Sequence, residues 1–262
     1  MSGIERELTV AVHAARAAGG VIRPYFQGKI EAWEKSHDNP VTQADLEANQ
    51  AIQQIIQDAF PADGWLSEET ADSRDRLSKP RVWIVDPLDG TKEFIEKIPE
   101  FCVCVGLAID GRATVAACYN PATDELFSGI VGVGATYNGA PAKVSAVADP
   151  KQARVLASRS ENKRGEWDAF RDDVQVVLTG SVAFKLALIS GGKGDATFSL
   201  TPKNEWDVCA GSALIEAAGG RVTALDGGPL RFNQEKTKLT GLIASNGVLH
   251  AALERLIEQK QR

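Results

Sequence analysis

The stretch between residues 82 and 130 limits the fold more than any other part of the chain. Short apolar runs at 82–85, 102–109, 114–119 and 125–130 follow one another, with Asp110-Gly111 and Asn120-Pro121 between the last three and Asn138-Gly139 beyond them. Runs of this length bounded by such turn pairs predict an antiparallel meander. Upstream the period is different. Ile4, Leu8, Val12, Ala15, Ile22 and Phe26 recur at helical spacing, behind Ser2 and Glu5 at capping-box separation. They predict one helix, weakened at Gly19-Gly20. A second helix is expected from Thr42, with Leu46, Ile52, Ile55, Ile56 and Phe60 on its inner face and Phe60-Pro61 as its stop.

Beyond residue 150 the pattern changes again. Strand-like runs at 154–158, 175–178, 196–200, 221–224 and 241–245 alternate with helical stretches at 181–191, 207–218 and 247–259. Such alternation predicts an α/β layer arrangement. The stretch 146–151 is the expected junction, dividing an N-terminal α+β half (1–148) from a C-terminal α/β half (149–262).

Composition narrows the class. The 262 residues are 44% hydrophobic, and the net charge is −6 with no basic run. That excludes disorder and argues against a nucleic-acid polymer as partner. No window approaches the roughly 18 apolar residues of a membrane span, so no membrane partner is expected. The N-terminus has no basic stretch followed by an apolar one, so we expect no signal peptide. Cys102, Cys104, Cys118 and Cys209 have no metal-ligand spacing, and buried reduced thiols in a cytoplasmic protein are expected.

The chemistry lies in carboxylates. They are Asp45, the pair Glu68-Glu69, the run Asp86-Pro87-Leu88-Asp89-Gly90-Thr91, and Asp207 after Trp206. Asp86 ends an apolar run, where a rigid strand can aim it into a crevice. Asp89-Gly90-Thr91 leads into Lys92-Glu93-Phe94-Ile95, a helix start whose backbone N–H groups suit an anion. Carboxylates beside an anion cradle call for a hard cation between them, and Mg²⁺ bridges such groups to phosphate. Singly, each residue has a structural role to offer. Asp45 and Asp207 can cap helices, Glu68-Glu69 can be a solvated pair, and Asp89-Gly90 can be a turn.

One rival pattern is the D-x-D-G-T nucleophile loop of haloacid-dehalogenase-type phosphatases. Its nucleophile position is Pro87 here, which cannot attack phosphorus. Water must then be the attacking group, because no histidine or cysteine is placed beside the acidic run.

The segments 83–91, 66–70 and 206–211 together resemble the signatures of the inositol monophosphatase superfamily, the lithium-sensitive, Mg²⁺-dependent phosphomonoesterases. Lys92-Glu93-Phe94 is more similar to the branch acting on 3'-phosphoadenosine 5'-phosphate, the CysQ type, than to the inositol branch. The resemblance implies a layered α-β-α-β-α sandwich, often a homodimer, acting on a small phosphate ester with two or three Mg²⁺ ions and inhibited by Li⁺. It implies Glu68, Asp86, the Leu88 carbonyl, Asp89 and Asp207 as metal ligands. Asp45 and Thr91, with Glu68, would activate water, and Gly90 and Thr91 would hold phosphate. Gly180, Ser181 and Lys185 resemble the part of the nucleotidase branch that contacts nucleoside and 5'-phosphate. In the inositol enzymes an acidic residue stands seven positions before the Trp-Asp aspartate, and here that position is Leu200. The expected activity is that of a 3'(2'),5'-bisphosphate nucleotidase. The alternatives are an inositol or fructose-1,6-bisphosphate-type sugar phosphatase and, more remotely, a non-catalytic binding protein of the same fold.

Overall fold

The computed structural model describes residues 3–36 and 39–261. The first periodic stretch is α1 (Gly3–Gln27), and the Ser2 half of its expected cap lies outside the described residues. No weakening occurs at Gly19-Gly20, because the helix continues straight through them. Gly19 serves packing instead: a Cβ there would stand 2.4 Å from the Tyr119 ring. A hairpin of β1 (Ala32–Ser36) and β2 (Asn39–Thr42), unannounced by the sequence pattern, leads into α2 (Gln43–Ala59). Thr42 is the N-cap of α2, and its buried stripe is Ala44, Ala48, Ile52 and Ile56. Leu46, Ile55 and Phe60, expected inside, are only partly buried.

The meander grows into a seven-stranded sheet. It comprises β3 (Gly64–Ser67), β4 (Arg81–Asp89), β5 (Cys102–Ile109), β6 (Arg112–Asn120), β7 (Glu125–Ile130), β8 (Gly134–Tyr137) and β9 (Ala140–Ala142), in chain order. Only β3 and β4 run parallel; every later neighbour is antiparallel. The short α3 (Thr91–Ile95) bridges β4 to β5.

After residue 150 come β10 (Arg154–Ala157), α4 (Arg159–Lys163), β11 (Gln175–Leu178), α5 (Val182–Ser190), β12 (Ala196–Ser199), β13 (Lys203–Asn204) and α6 (Glu205–Ala217). The chain ends with β14 (Arg221–Thr223), β15 (Lys238–Leu239), β16 (Leu242–Ser245) and α7 (His250–Gln261). Five of these strands form a mixed sheet in the order β11-β10-β12-β16-β14.

The layers follow from what each face buries. α1 and α2 cover one face of the large sheet through Ala11, Ala18, Ile22 and Ile52. α5 and α6 cover its other face and pack in turn on the smaller sheet. α7 closes the far side through Leu253 and Ile257, with Leu249 just before it. The result is the expected α-β-α-β-α sandwich. One core crosses residue 148, where Leu66, Val82 and Ile84 pack with Leu186, Ile215 and Leu242. Truncating such a residue to alanine costs about 2–5 kcal/mol. No helix among the described residues is long and apolar enough to cross a membrane. All four cysteines are free and buried.

Candidate active site

A bulge aims the paired aspartates. In a regular strand, residues three apart face opposite sides of the sheet. Here Asp86 stands opposite Cys104 and Asp89 opposite Cys102, so β4 takes three steps where β5 takes two. The extra residue falls at Pro87-Leu88, where the broken ladder tolerates a proline. Both carboxylates therefore face the same side. Glu68 follows β3 directly, and its N–H donates to the Val85 carbonyl at 3.3 Å, beside Asp86. Asp207 arrives from the first turn of α6.

Glu68, Asp86 and Asp207 each bring a carboxylate oxygen within 4.8 Å of the other two. Asp86 is 1% exposed, and its Oδ2 has no hydrogen-bond partner among the described residues. Burial holds its carboxyl well above the ordinary range, and Glu68, Asp89 and Asp207 push it further. Asp207 is raised well by burial, then by Asp89 and Glu68. An orphaned buried oxygen among like charges is costly unless it is protonated or holds a cation. Oxygen donors alone fit a hard divalent ion such as Mg²⁺.

Asp89 shares the cleft but not that three-way cluster. Its Oδ2 accepts the Ser181 hydroxyl and, at 2.6 Å, the Ala183 N–H. It thus faces the N-terminus of α5, where the helix dipole favours a carboxylate. Burial still raises it.

Asp45 and Asp207 each take the capping role the sequence offered and still touch another residue of the expected site. Asp45 Oδ2 accepts the Thr42 N–H at 2.8 Å and the Thr42 hydroxyl at 2.6 Å, capping α2. Its Oδ1 accepts the Thr91 hydroxyl at 3.1 Å. Burial raises its pKa to about 6, against the lowering effect of the Thr42 and Thr91 hydrogen bonds. Asp207 Oδ2 accepts the Asn204 N–H at 2.9 Å while the side chain faces Glu68 and Asp86.

These groups border a cleft of about 320 Å³ lined by Glu68, Leu88, Asp89, Gly90, Thr91, Ser181, Lys185 and Asp207, among others. Gly90 has φ +98°, and a Cβ would stand 2.9 Å from the Glu100 carbonyl oxygen, so only glycine fits this turn. Lys185 is 3% exposed, and burial lowers its pKa. Its ammonium makes no hydrogen bond or close ion pair among the described residues. Gly180 stands apart from the cleft lining, and its N–H donates to Glu100 Oε2 at 2.6 Å. Leu200 packs partly buried against the core beneath α7.

Sequence reasoning missed Lys35. Its Nζ lies 2.7 Å from Glu68 Oε1 and 2.6 Å from Glu69 Oε1. Burial opposes its charge, but the two glutamates raise its pKa above the ordinary value. No motif marks Lys35; only the hairpin brings it across. Glu161 was missed too. Buried, it accepts from Ser199 at 2.9 Å, Lys203 at 3.0 Å and Trp167 at 3.2 Å.

A model of the inositol monophosphatase family matches residues 4–262. The chain belongs to the inositol monophosphatase family. Family members are phosphomonoesterases, which supports a phosphatase activity for this chain. This member is 36% identical over 231 residues to inositol monophosphatase 3 of Solanum lycopersicum, covering 84% of this chain and 86% of that one. Its fold matches the inositol monophosphatase of Anabaena (Nostoc) sp. PCC 7120 with a TM-score of 0.84 and 32% identity, covering 98% and 97% of the two chains. It also matches CysQ from Bacteroides thetaiotaomicron with a TM-score of 0.75 and 29% identity, covering 92% and 97%.

Proposed function

We propose that this phosphatase removes the 3'-phosphate of 3'-phosphoadenosine 5'-phosphate, releasing AMP and phosphate. The observation that carries the substrate is Lys185. A buried ammonium without a hydrogen bond is expensive to maintain, and a second phosphate on the substrate offsets that cost. The Lys92-Glu93-Phe94 extension and Leu200, where inositol enzymes carry an acid, point the same way.

Glu68, Asp86, Asp89, Asp207 and the Leu88 carbonyl would hold Mg²⁺. When bound, the metal supplies water activation and neutralises charge on the phosphoryl oxygens. Thr91 accepts a proton from the attacking water as its own hydroxyl proton passes to Asp45 Oδ1. Asp45, with a pKa of about 6, is ionised at neutral pH and able to accept. Gly90 and Thr91 would present backbone N–H groups at the start of α3 to the phosphate. Lys185 and Ser181 orient the far end of the substrate. Phosphoryl transfer asks for little more than such positioning and charge.

A sugar phosphatase is the second reading, favoured by the names of the tomato and Anabaena relatives. Lys185→Met separates the two. Its KM for 3'-phosphoadenosine 5'-phosphate rises roughly tenfold or more while KM for 3'-AMP stays within twofold, as expected when one charged hydrogen bond to a second phosphate is lost. Equal KM changes for both nucleotides would overturn the role of Lys185.

A further inference from the structure

Beside the paired aspartates, on the neighbouring strands, lies a row of three thiols that the proposed phosphatase chemistry does not use. Cys102 and Cys104 alternate on β5, and Cys118 on β6 stands directly opposite Cys104. All three are fully buried. Sγ of Cys104 is 3.4 Å from Cys102 Sγ and 3.2 Å from Cys118 Sγ. At its other end the row touches the site, because Cys102 Sγ lies 3.8 Å from Ser181 Oγ. Ser181 in turn donates to Asp89. The thiols belong to an apolar cluster with Ala116, Ala183, Ala187 and Ala210.

We propose that Cys104 and Cys118 form an oxidisable pair whose disulfide weakens the hold on Asp89. Residues directly opposite in an antiparallel ladder have Cα atoms about 4.5–5.5 Å apart, inside the window of about 4.4–6.8 Å for a disulfide. The sulfurs close from 3.2 Å to about 2.05 Å by side-chain rotation. Cys102 and Cys104 also bring their sulfurs to 3.4 Å, but two steps along one strand put their Cα atoms about 6.6 Å apart, at the far edge of that window.

The oxidant is a hydroperoxide. One thiolate of the pair attacks the peroxide oxygen, the O–O bond breaks, and a sulfenic acid forms as water or an alcohol leaves. The second thiol attacks that sulfur, forming the S–S bond and releasing water. Two thiols lose two electrons in all, and the peroxide gains them. In a reducing compartment the thiol form is the resting one.

The bond draws Cys104 away from Cys102 and loosens the packing under Ser181. Groups that hold a metal ligand in place are each worth roughly 10–100-fold in metal affinity, and a fall of about tenfold in Mg²⁺ affinity is expected. The change in affinity rests on the proposed metal site, whereas the bond itself does not.

The test treats the full chain with hydrogen peroxide, alkylates it under denaturing conditions, and maps the peptides by mass spectrometry. Two thiols should disappear, with Cys104 linked to Cys118, and dithiothreitol should restore them. Cys118→Ala and Cys118→Ser should each keep their remaining thiols free, and Cys209→Ala should oxidise as the native chain does. Four alkylated thiols after peroxide, or a bond that includes Cys209, would overturn the pair. Calorimetric titration with Mg²⁺ then compares the two forms. Equal affinities with the disulfide mapped would overturn its coupling to Asp89 and leave the phosphatase reading untouched.

Discussion

The Thr91 hydroxyl oxygen lies 3.1 Å from Asp45 Oδ1 and 3.1 Å from the Leu88 carbonyl oxygen. A hydroxyl has one proton, so only one of these acceptors holds it well at a time. The Leu88 carbonyl is a proposed metal ligand, and engaging it leaves the Thr91 proton to Asp45. Thr91→Val should therefore lower kcat by roughly 100-fold, within the range of a lost acid–base group, while the Mg²⁺-induced rise in Tm persists. Asp45→Asn should lower kcat less, because Asp45 acts on the water only through Thr91. A Thr91→Val enzyme with native kcat would remove the pair from the reaction.

Asp86 makes the opposite kind of demand. Burial among Glu68, Asp89 and Asp207 holds its carboxyl well above the ordinary carboxylate range near 3.8, so protonation is favoured in the folded state. The stability it contributes is present below that value and is lost as pH rises through the raised folded pKa. In EDTA, Asp86→Asn should melt above the native chain at pH 7.5, and the gap should shrink as pH falls toward 4. The same variant should lose the Tm rise on adding Mg²⁺. An Asn variant less stable than the native chain at neutral pH without metal would contradict the charge argument.

Lys35 holds Glu68 as a cation would. A divalent ion taking Glu68 competes with the ammonium 2.7 Å from its Oε1. Lys35→Gln should lower Tm in EDTA, because Glu68 and Glu69 lose their counter-charge, and should lower the Mg²⁺ concentration for half-maximal effect. A higher Mg²⁺ requirement would mean that Lys35 aids the metal site.

How much of this was legible in advance differs from residue to residue. The meander and the later alternation carried strong periods, and the sheets formed where those periods fell. The carboxylates were legible because their neighbours, Pro87, Gly90 and Trp206, are unusual residue types at fixed spacing. The bulge between Asp86 and Asp89 was not, since register is a property of two strands. Lys35 left no trace either. It sits in a short hairpin without alternation, and its meeting with Glu68 spans 33 residues. Gly180 was legible as a motif residue, yet its N–H turned to Glu100, a partner 80 residues away.

Lithium tests the cluster from the ligand side. Li⁺ is close in size to Mg²⁺ with half the charge, so it can enter a carboxylate site without the same neutralisation of phosphate. LiCl should inhibit phosphate release at fixed Mg²⁺, in an uncompetitive or mixed pattern, where matched NaCl does not. Superimposable LiCl and NaCl curves would contradict the proposed ligand set.

The most direct measurement is phosphate release, with Mg²⁺ and with EDTA, from 3'-phosphoadenosine 5'-phosphate, inositol 1-phosphate and fructose 1,6-bisphosphate. Turnover should require Mg²⁺, and kcat/KM should be highest for the nucleotide. A higher kcat/KM for either sugar phosphate would contradict the nucleotidase assignment, and undiminished release in EDTA would contradict the role given to Glu68, Asp86 and Asp207.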